Sequence, residues 1–230
     1  MMKKTLIAAA LATVSLPSVA EIAGNVALTT DYRFRGISQT DRNPAVQGGF
    51  DWSHDSGFYL GAWGSNVDFA GSLELDYYGG YAGNITDSLA FDVGAIYYDY
   101  PGDGGSLEFW EVYGGLSGDL GPVSLSGKVS YSDDYYDETG EAWYTDLGAS
   151  YSLPADFSLN GHYGYQTIDD GDQFFSSNTD NYSDWSLGVS KSMWDLDFDL
   201  SYVDTDLSKG DCYNSKICDS TVVFSISKSL

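Results

Sequence analysis

From Ile22 onward, apolar and polar residues alternate with a period of two, in stretch after stretch, and this pattern constrains the fold more than any other property of the chain. A β-strand points successive side chains to opposite faces, so strict alternation marks a sheet with one apolar and one polar surface. Over residues 22–36 one face reads Ile22, Gly24, Val26, Leu28, Thr30, Tyr32 and Phe34. The other reads Ala23, Asn25, Ala27, Thr29, Asp31, Arg33 and Arg35. The same contrast sets Leu73, Leu75 and Tyr77 against Glu74, Asp76 and Tyr78, and Leu196, Phe198 and Leu200 against Asp197 and Asp199. Twelve strands are predicted: 23–35, 45–54, 57–66, 72–82, 88–98, 107–116, 122–132, 142–151, 156–166, 183–191, 195–204 and 220–230. Most run to about ten residues, the length at which a tilted strand crosses a bilayer.

The connections carry a second periodicity. Short turns at 54–56, 83–87, 117–121, 152–155 and 192–194 alternate with mostly longer, more acidic segments at 36–44, 67–71, 99–106, 133–141, 167–182 and 205–219. Short periplasmic turns alternating with longer outer loops are the rule in transmembrane barrels. The expected fold is therefore all-β, a transmembrane antiparallel β-barrel of about twelve strands. A soluble barrel of that size would have to fill an interior too wide for side chains, and its outward polar face, rich in Gly, Ser and Asp, would make a poor charged coat. In lipid, by contrast, a closed barrel pairs every backbone polar group. Trp52, Phe58, Trp110, Trp143, Tyr151, Trp185 and Trp194 fall near strand ends, where interfacial aromatic girdles sit.

Residues 1–20 read as a cleaved signal peptide: Lys3 and Lys4, an apolar run from Thr5 to Leu16, and the small-residue site Ser18-Val19-Ala20. Residues 21–230 then form a single barrel domain. Ten basic residues stand against 34 acidic ones, a net charge of −24. Such a chain repels nucleic acid and anionic lipid; its acids either attract cations or simply form a solvated surface.

The run Asp31-Tyr32-Arg33-Phe34-Arg35-Gly36-Ile37-Ser38-Gln39-Thr40, followed by Pro44-Ala45-Val46-Gln47-Gly48-Gly49-Phe50-Asp51, resembles the TorF family of porins. The likeness continues in Ser65-Asn66-Val67-Asp68, Glu111-Val112-Tyr113, Tyr182-Ser183-Asp184-Trp185, Tyr202-Val203-Asp204-Thr205-Asp206 and the closing Val222–Leu230 strand, and it covers essentially the whole chain after residue 20. The resemblance implies an outer-membrane barrel and a channel, with no catalytic residues. The chain departs from common barrel usage in ending on Leu230 rather than an aromatic residue.

Parity assigns Asp31, Arg33, Arg35, Asp51, Glu74, Asp76, Asp92, Lys128, Asp146, Asp197 and Asp199 to the inward, pore-lining face. The function expected is passive diffusion of small hydrophilic solutes or ions, with cations preferred because acids outnumber bases on that face. Two alternatives stand beside it. One is a closed structural or adhesion barrel, blocked by its loops or by inward Tyr59, Trp63 and Tyr78. The other is an outer-membrane lipid-modifying enzyme, but His162 and Ser158 are four residues apart along one strand, about 13 Å, which is too far for a hydrogen bond. No enzyme activity, cofactor or metal site is expected; the clusters Asp133-Asp134 and Asp169-Asp170 lack the spacing of a calcium-binding loop. The partners expected are outer-membrane lipid, lipopolysaccharide and small solutes or cations, with no nucleic acid. Cys212 and Cys218, the two cysteines of an exported chain, are expected to form a disulfide.

Overall fold

The alternating stretches pair into one sheet that closes on itself. A computed structural model describes residues 21–102, 104–105 and 107–230; the expected signal, residues 1–20, lies outside the described residues. Twelve antiparallel strands form the barrel: β1 (Glu21–Thr29), β4 (Ala45–Ser53), β5 (Phe58–Asn66), β6 (Leu73–Thr86), β7 (Leu89–Asp99), β8 (Phe109–Leu120), β9 (Val123–Ser132), β10 (Ala142–Leu153), β11 (Phe157–Ile168), β12 (Asn181–Met193), β13 (Leu196–Thr205) and β14 (Thr221–Ser229). Two short strands, β2 (Arg33–Phe34) and β3 (Ile37–Ser38), form a separate hairpin between β1 and β4. Closure comes from β1, which pairs with β4 on one side and β14 on the other, Val26 lying opposite Gly48 and Lys228.

The barrel is built inside out relative to a soluble protein. Ile22, Phe50, Leu60, Leu147 and Leu187 point outward, each more than half exposed, while inward Glu74, Glu111 and Asp184 are almost wholly buried. So broad an exposed apolar band belongs against hydrocarbon. At its edges, aromatic rings meet across strands, Tyr131 on Trp143 at 4.6 Å and Phe58 on Tyr81 at 5.0 Å between centroids. One end of the barrel carries tight turns. Trp194-Asp195 links β12 to β13 with both φ angles positive, the backbone that matches the twist of the flanking strands. The expected turns at 83–87 and 117–121 shrink to residues 87–88 and 121–122, because the ladders β6–β7 and β8–β9 run on to Thr86 and Leu120.

The first strand is shorter than predicted. It ends at Thr29, where its partners Ala45 and Ser225 complete both ladders, and not at Arg35. Beyond it the Asp31 carboxylate accepts hydrogen bonds from Arg33 Nε at 2.7 Å and Ser38 Oγ at 2.6 Å, which fold residues 30–44 back into the lumen. Tyr32 and Phe34, expected on the lipid face, therefore lie inside: the Tyr32 hydroxyl donates to Glu74, and Phe34 packs edge-on against Tyr98.

A charge placed on the outward band tests the inside-out assignment. Leu147→Arg, at the middle of β10, should destabilise the folded barrel in lipid by about 2–4 kcal/mol. Urea titration of heat-modifiable gel mobility measures it, and a variant as stable as the parent would place that face in water.

Candidate functional site

The lumen is organised around one side chain. Arg35 and Gly36, both at positive φ, make the two-residue turn between β2 and β3, so the arginine rides on the tip of the inward hairpin. Arg35 Nη2 donates to both Glu111 oxygens on β8, at 2.6 and 2.7 Å, and Nη1 donates to Gln166 Oε1 on β11 at 2.5 Å. The guanidinium lies 4.1 Å from the Tyr144 ring centroid, 4.7 Å from Phe34 and 5.7 Å from Tyr135. Burial works against its charge, but Glu111 and the surrounding tyrosines more than offset this and hold Arg35 protonated above its ordinary range. Gly36 rests against β12 and β13, where any side chain would strike Thr205 and Asp184. A loop that leaves β1 thus reaches β6 through Tyr32, β8 and β11 through Arg35, and β12 and β13 through Gly36. It crosses the barrel.

The last loop supports this crossing. Arg33 Nη1 donates to the carbonyls of Ile217 at 2.7 Å and Asp219 at 3.2 Å, and the Ser38 amide donates to Ile217 O at 2.9 Å. Cys212 and Cys218 form the expected disulfide, both buried in an aromatic cluster that includes Tyr98, Phe109, Tyr135 and Phe175. The loop end of the lumen is therefore packed, while the turn end is lined by small or half-exposed side chains such as Ser53, Ser158 and Ser190.

Between the hairpin and the turns the wall is a set of acids with committed partners. Tyr59 donates to Asp92 at 2.6 Å, and the Tyr78 hydroxyl donates to Asp51. His162 Nδ1 faces Asp146 at 3.3 Å and Nε2 faces Asp184 at 2.7 Å, with the Tyr144 hydroxyl 3.0 Å from Asp184. Both ring nitrogens meet acceptors, an arrangement that suits a doubly protonated imidazole. Several of these tyrosines lie flat against the wall over a glycine of a neighbouring strand, Tyr78 over Gly61, Tyr59 over Gly80, Tyr113 over Gly94 and Tyr144 over Gly164.

Of the residues predicted to face inward, Asp51, Glu74, Asp76, Asp92, Lys128, Asp146, Asp197 and Asp199 lie on the inward side of strands. Asp31, Arg33 and Arg35 lie on the hairpin instead. Sequence reasoning left out Glu111, Asp184 and the pairing of His162. Parity with outward Trp110 and Val112 points Glu111 inward, and outward Trp185 and Leu187 do the same for Asp184.

Residues 14–230 match the family described as a bacterial protein of unknown function (Gcw_chp). The chain belongs to that family. No curated protein sequence matches it. In fold it is similar to the NanC porin, with a TM-score of 0.60 at 12% identity over 90% of this chain and 98% of that one. It is similar also to the KdgM porin, with a TM-score of 0.57 at 8% identity over 92% of this chain and 98% of that one. A second KdgM structure, in complex with disordered oligogalacturonate, gives a TM-score of 0.55 at 9% identity over 92% of this chain and 98% of that one. At these identities the likeness is one of fold, a porin-like twelve-stranded barrel.

Two variants test how this Gcw_chp chain holds its hairpin. Arg35→Ala strips Glu111 of its cation, and breaking a buried pair in this way costs about 3–5 kcal/mol. The hairpin lies outside the barrel ladders, so the loss should appear as faster trypsin cleavage after Arg33 and Arg42 with heat-modifiable mobility intact; an unchanged digestion pattern would remove Arg35 as the anchor. Cys212→Ser should loosen the same hairpin at one remove, since the bridge closes a short loop whose constraint contributes about 2–3 kcal/mol. Two titratable thiols in the native, unreduced parent would refute the bridge.

Proposed function

We propose that the chain is an outer-membrane channel for passive diffusion of small hydrophilic solutes or ions, with a preference for cations. The observation that carries this reading is the composition of the inward face. Asp31, Asp51, Glu74, Asp76, Asp92, Glu111, Asp146, Asp184, Asp197 and Asp199 stand against Arg33, Arg35, Lys128 and His162, inside a twelve-stranded barrel. An acidic passage concentrates cations and repels polyanions, so oligogalacturonate, a chain of carboxylates, is a poor candidate solute for this barrel despite the shared fold. The TorF-like sequence runs and the porin-like fold support the same reading, as they do export by residues 1–20 and a setting in lipopolysaccharide and outer-membrane lipid. An enzymatic role finds no support in the one inward histidine, since His162 faces two acids and a tyrosine rather than a serine nucleophile.

One observation favours a second reading, a barrel closed at rest. Tyr98, Phe109, Tyr135 and the hairpin bury one another at the loop end. Single-channel recording of refolded protein in planar bilayers separates the two. A conducting channel should give a reversal potential of cationic sign in a potassium chloride gradient, and Asp51→Asn with Asp92→Asn should move it toward zero. Anion preference would overturn the proposal. Silence in the parent with conductance in Arg35→Ala would establish the closed barrel and place its gate in the first loop.

A further inference from the structure

The inward acids share a rule that one of them breaks. Glu74 accepts a hydrogen bond from Tyr32, Asp51 from Tyr78, Asp92 from Tyr59, Glu111 from Arg35, Asp184 from Tyr144, Asp197 from Ser192 and Asp199 from Ser201, while Asp146 faces His162. Asp76 is only 6% exposed, and its Oδ1 is buried with no hydrogen-bond partner. The tyrosine hydroxyls of this part of the wall are turned to other acids: Tyr98, its cross-strand neighbour on β7, donates to Glu111 at 3.3 Å, Tyr78 to Asp51, and Tyr32 to Glu74. Its neighbour on the other side is Trp63 on β5, whose ring meets Tyr32 edge-on at 5.5 Å. A carboxylate oxygen walled by aromatic rings and left without a donor is costly in a buried site, and a bound cation relieves that cost.

We propose that Asp76 is a binding station for a singly charged cation, an alkali ion or a primary ammonium group, held between Trp63 and Tyr98 beneath the inward hairpin. The charge of the ligand follows from the donors. Among the described residues no three acidic, histidine or cysteine groups are placed to share a metal ion, so a divalent ion lacks the oxygen shell it needs. One carboxylate balances a single positive charge, and its register neighbours Trp63 and Tyr98 bring no further charge of their own. The station rests on the cation-preferring channel reading and gives it a place where a permeating ion pauses.

Infrared difference spectroscopy on the refolded full-length mature chain tests it without relying on conductance. Spectra are recorded on exchanging a bulky cation, N-methylglucamine, for potassium, sodium or methylammonium. The expected result is an ionised-carboxylate band that grows with at least one small cation, saturates, and is lost in Asp76→Asn. The ion that produces it distinguishes alkali from ammonium ligands. A protonated-acid band that disappears in Asp76→Asn and responds to none of the cations would overturn the station, as would parent spectra identical in all four. If Asp76→Asn fails to show heat-modifiable folding, Asp76→Glu serves: the cation-dependent band must shift in frequency, and an unshifted band would assign the response to another acid. In bilayers the same Asp76→Asn change should raise the half-saturating potassium concentration of conductance several-fold. A carboxylate response in a protein that does not prefer cations would sink the channel reading alone, and a cation-preferring channel with no response at Asp76 would sink the station alone.

Discussion

Everything in this molecule depends on the pairing of its first strand with its last. A sheet in hydrocarbon cannot leave an edge, because each unpaired amide or carbonyl there costs several kcal/mol. The seam between β1 and β14 is the shortest in the barrel, from Asn25–Ser229 to Thr29–Ser225, yet it turns an open twelve-stranded sheet into a closed one. Closure sets the alternation: with no edge to protect, one face of every strand can be given to lipid and the other to a polar interior. It also sets where charge can sit. Acids that would be intolerable on the outside are accommodated inside, where hydroxyl, guanidinium and imidazole groups meet all but Asp76 of those named above.

The hairpin borne on residues 30–44 is the second level of organisation, and it uses different physics. Its anchors are few and strongly polar: the Arg35–Glu111 pair, in which one guanidinium nitrogen meets both carboxylate oxygens, the Tyr32–Glu74 hydrogen bond and the Arg33–Asp31 pair. Such contacts are strong in a low-dielectric site, and removal of one partner exposes the other as an unpaired buried group. The barrel wall holds by many small, cooperative hydrogen bonds, whereas the loop holds by a handful of strong ones. The disulfide loop at 212–218 braces the Ile217 carbonyl that accepts from Arg33 and from the Ser38 amide.

Period-two patterning made the barrel legible because side-chain parity is a local property, readable without knowing what a strand pairs with. Strand existence, number and direction followed from it. The end of β1 did not, since the alternation of Tyr32, Phe34 and their neighbours continues past Thr29 while the pairing partners stop. What turns the chain inward is the hydrogen bonding of Asp31 to Arg33 and Ser38, and a side-chain carboxylate that redirects a backbone leaves no periodic trace. The site was legible only in part for the same reason. Parity could orient Asp92 or Lys128, but the setting of His162 between Asp146 and Asp184 joins three strands and needs their register. The run from Asp31 to Thr40, distinctive as a motif, encodes the hairpin.

The span of the hairpin's contacts has a consequence for the order of assembly. Arg35 meets Glu111 across 76 residues and Gln166 across 131, and Arg33 meets Ile217 across 184. Contacts so distant in the chain form only after the intervening segments are in place. The earliest-synthesised loop is therefore the last part to dock, and it finds its seat only in a barrel whose far strands stand in the right register. A misregistered barrel offers Arg35 no pair of acceptors at the proper spacing, so a seated hairpin is a chemical readout that closure has been completed correctly.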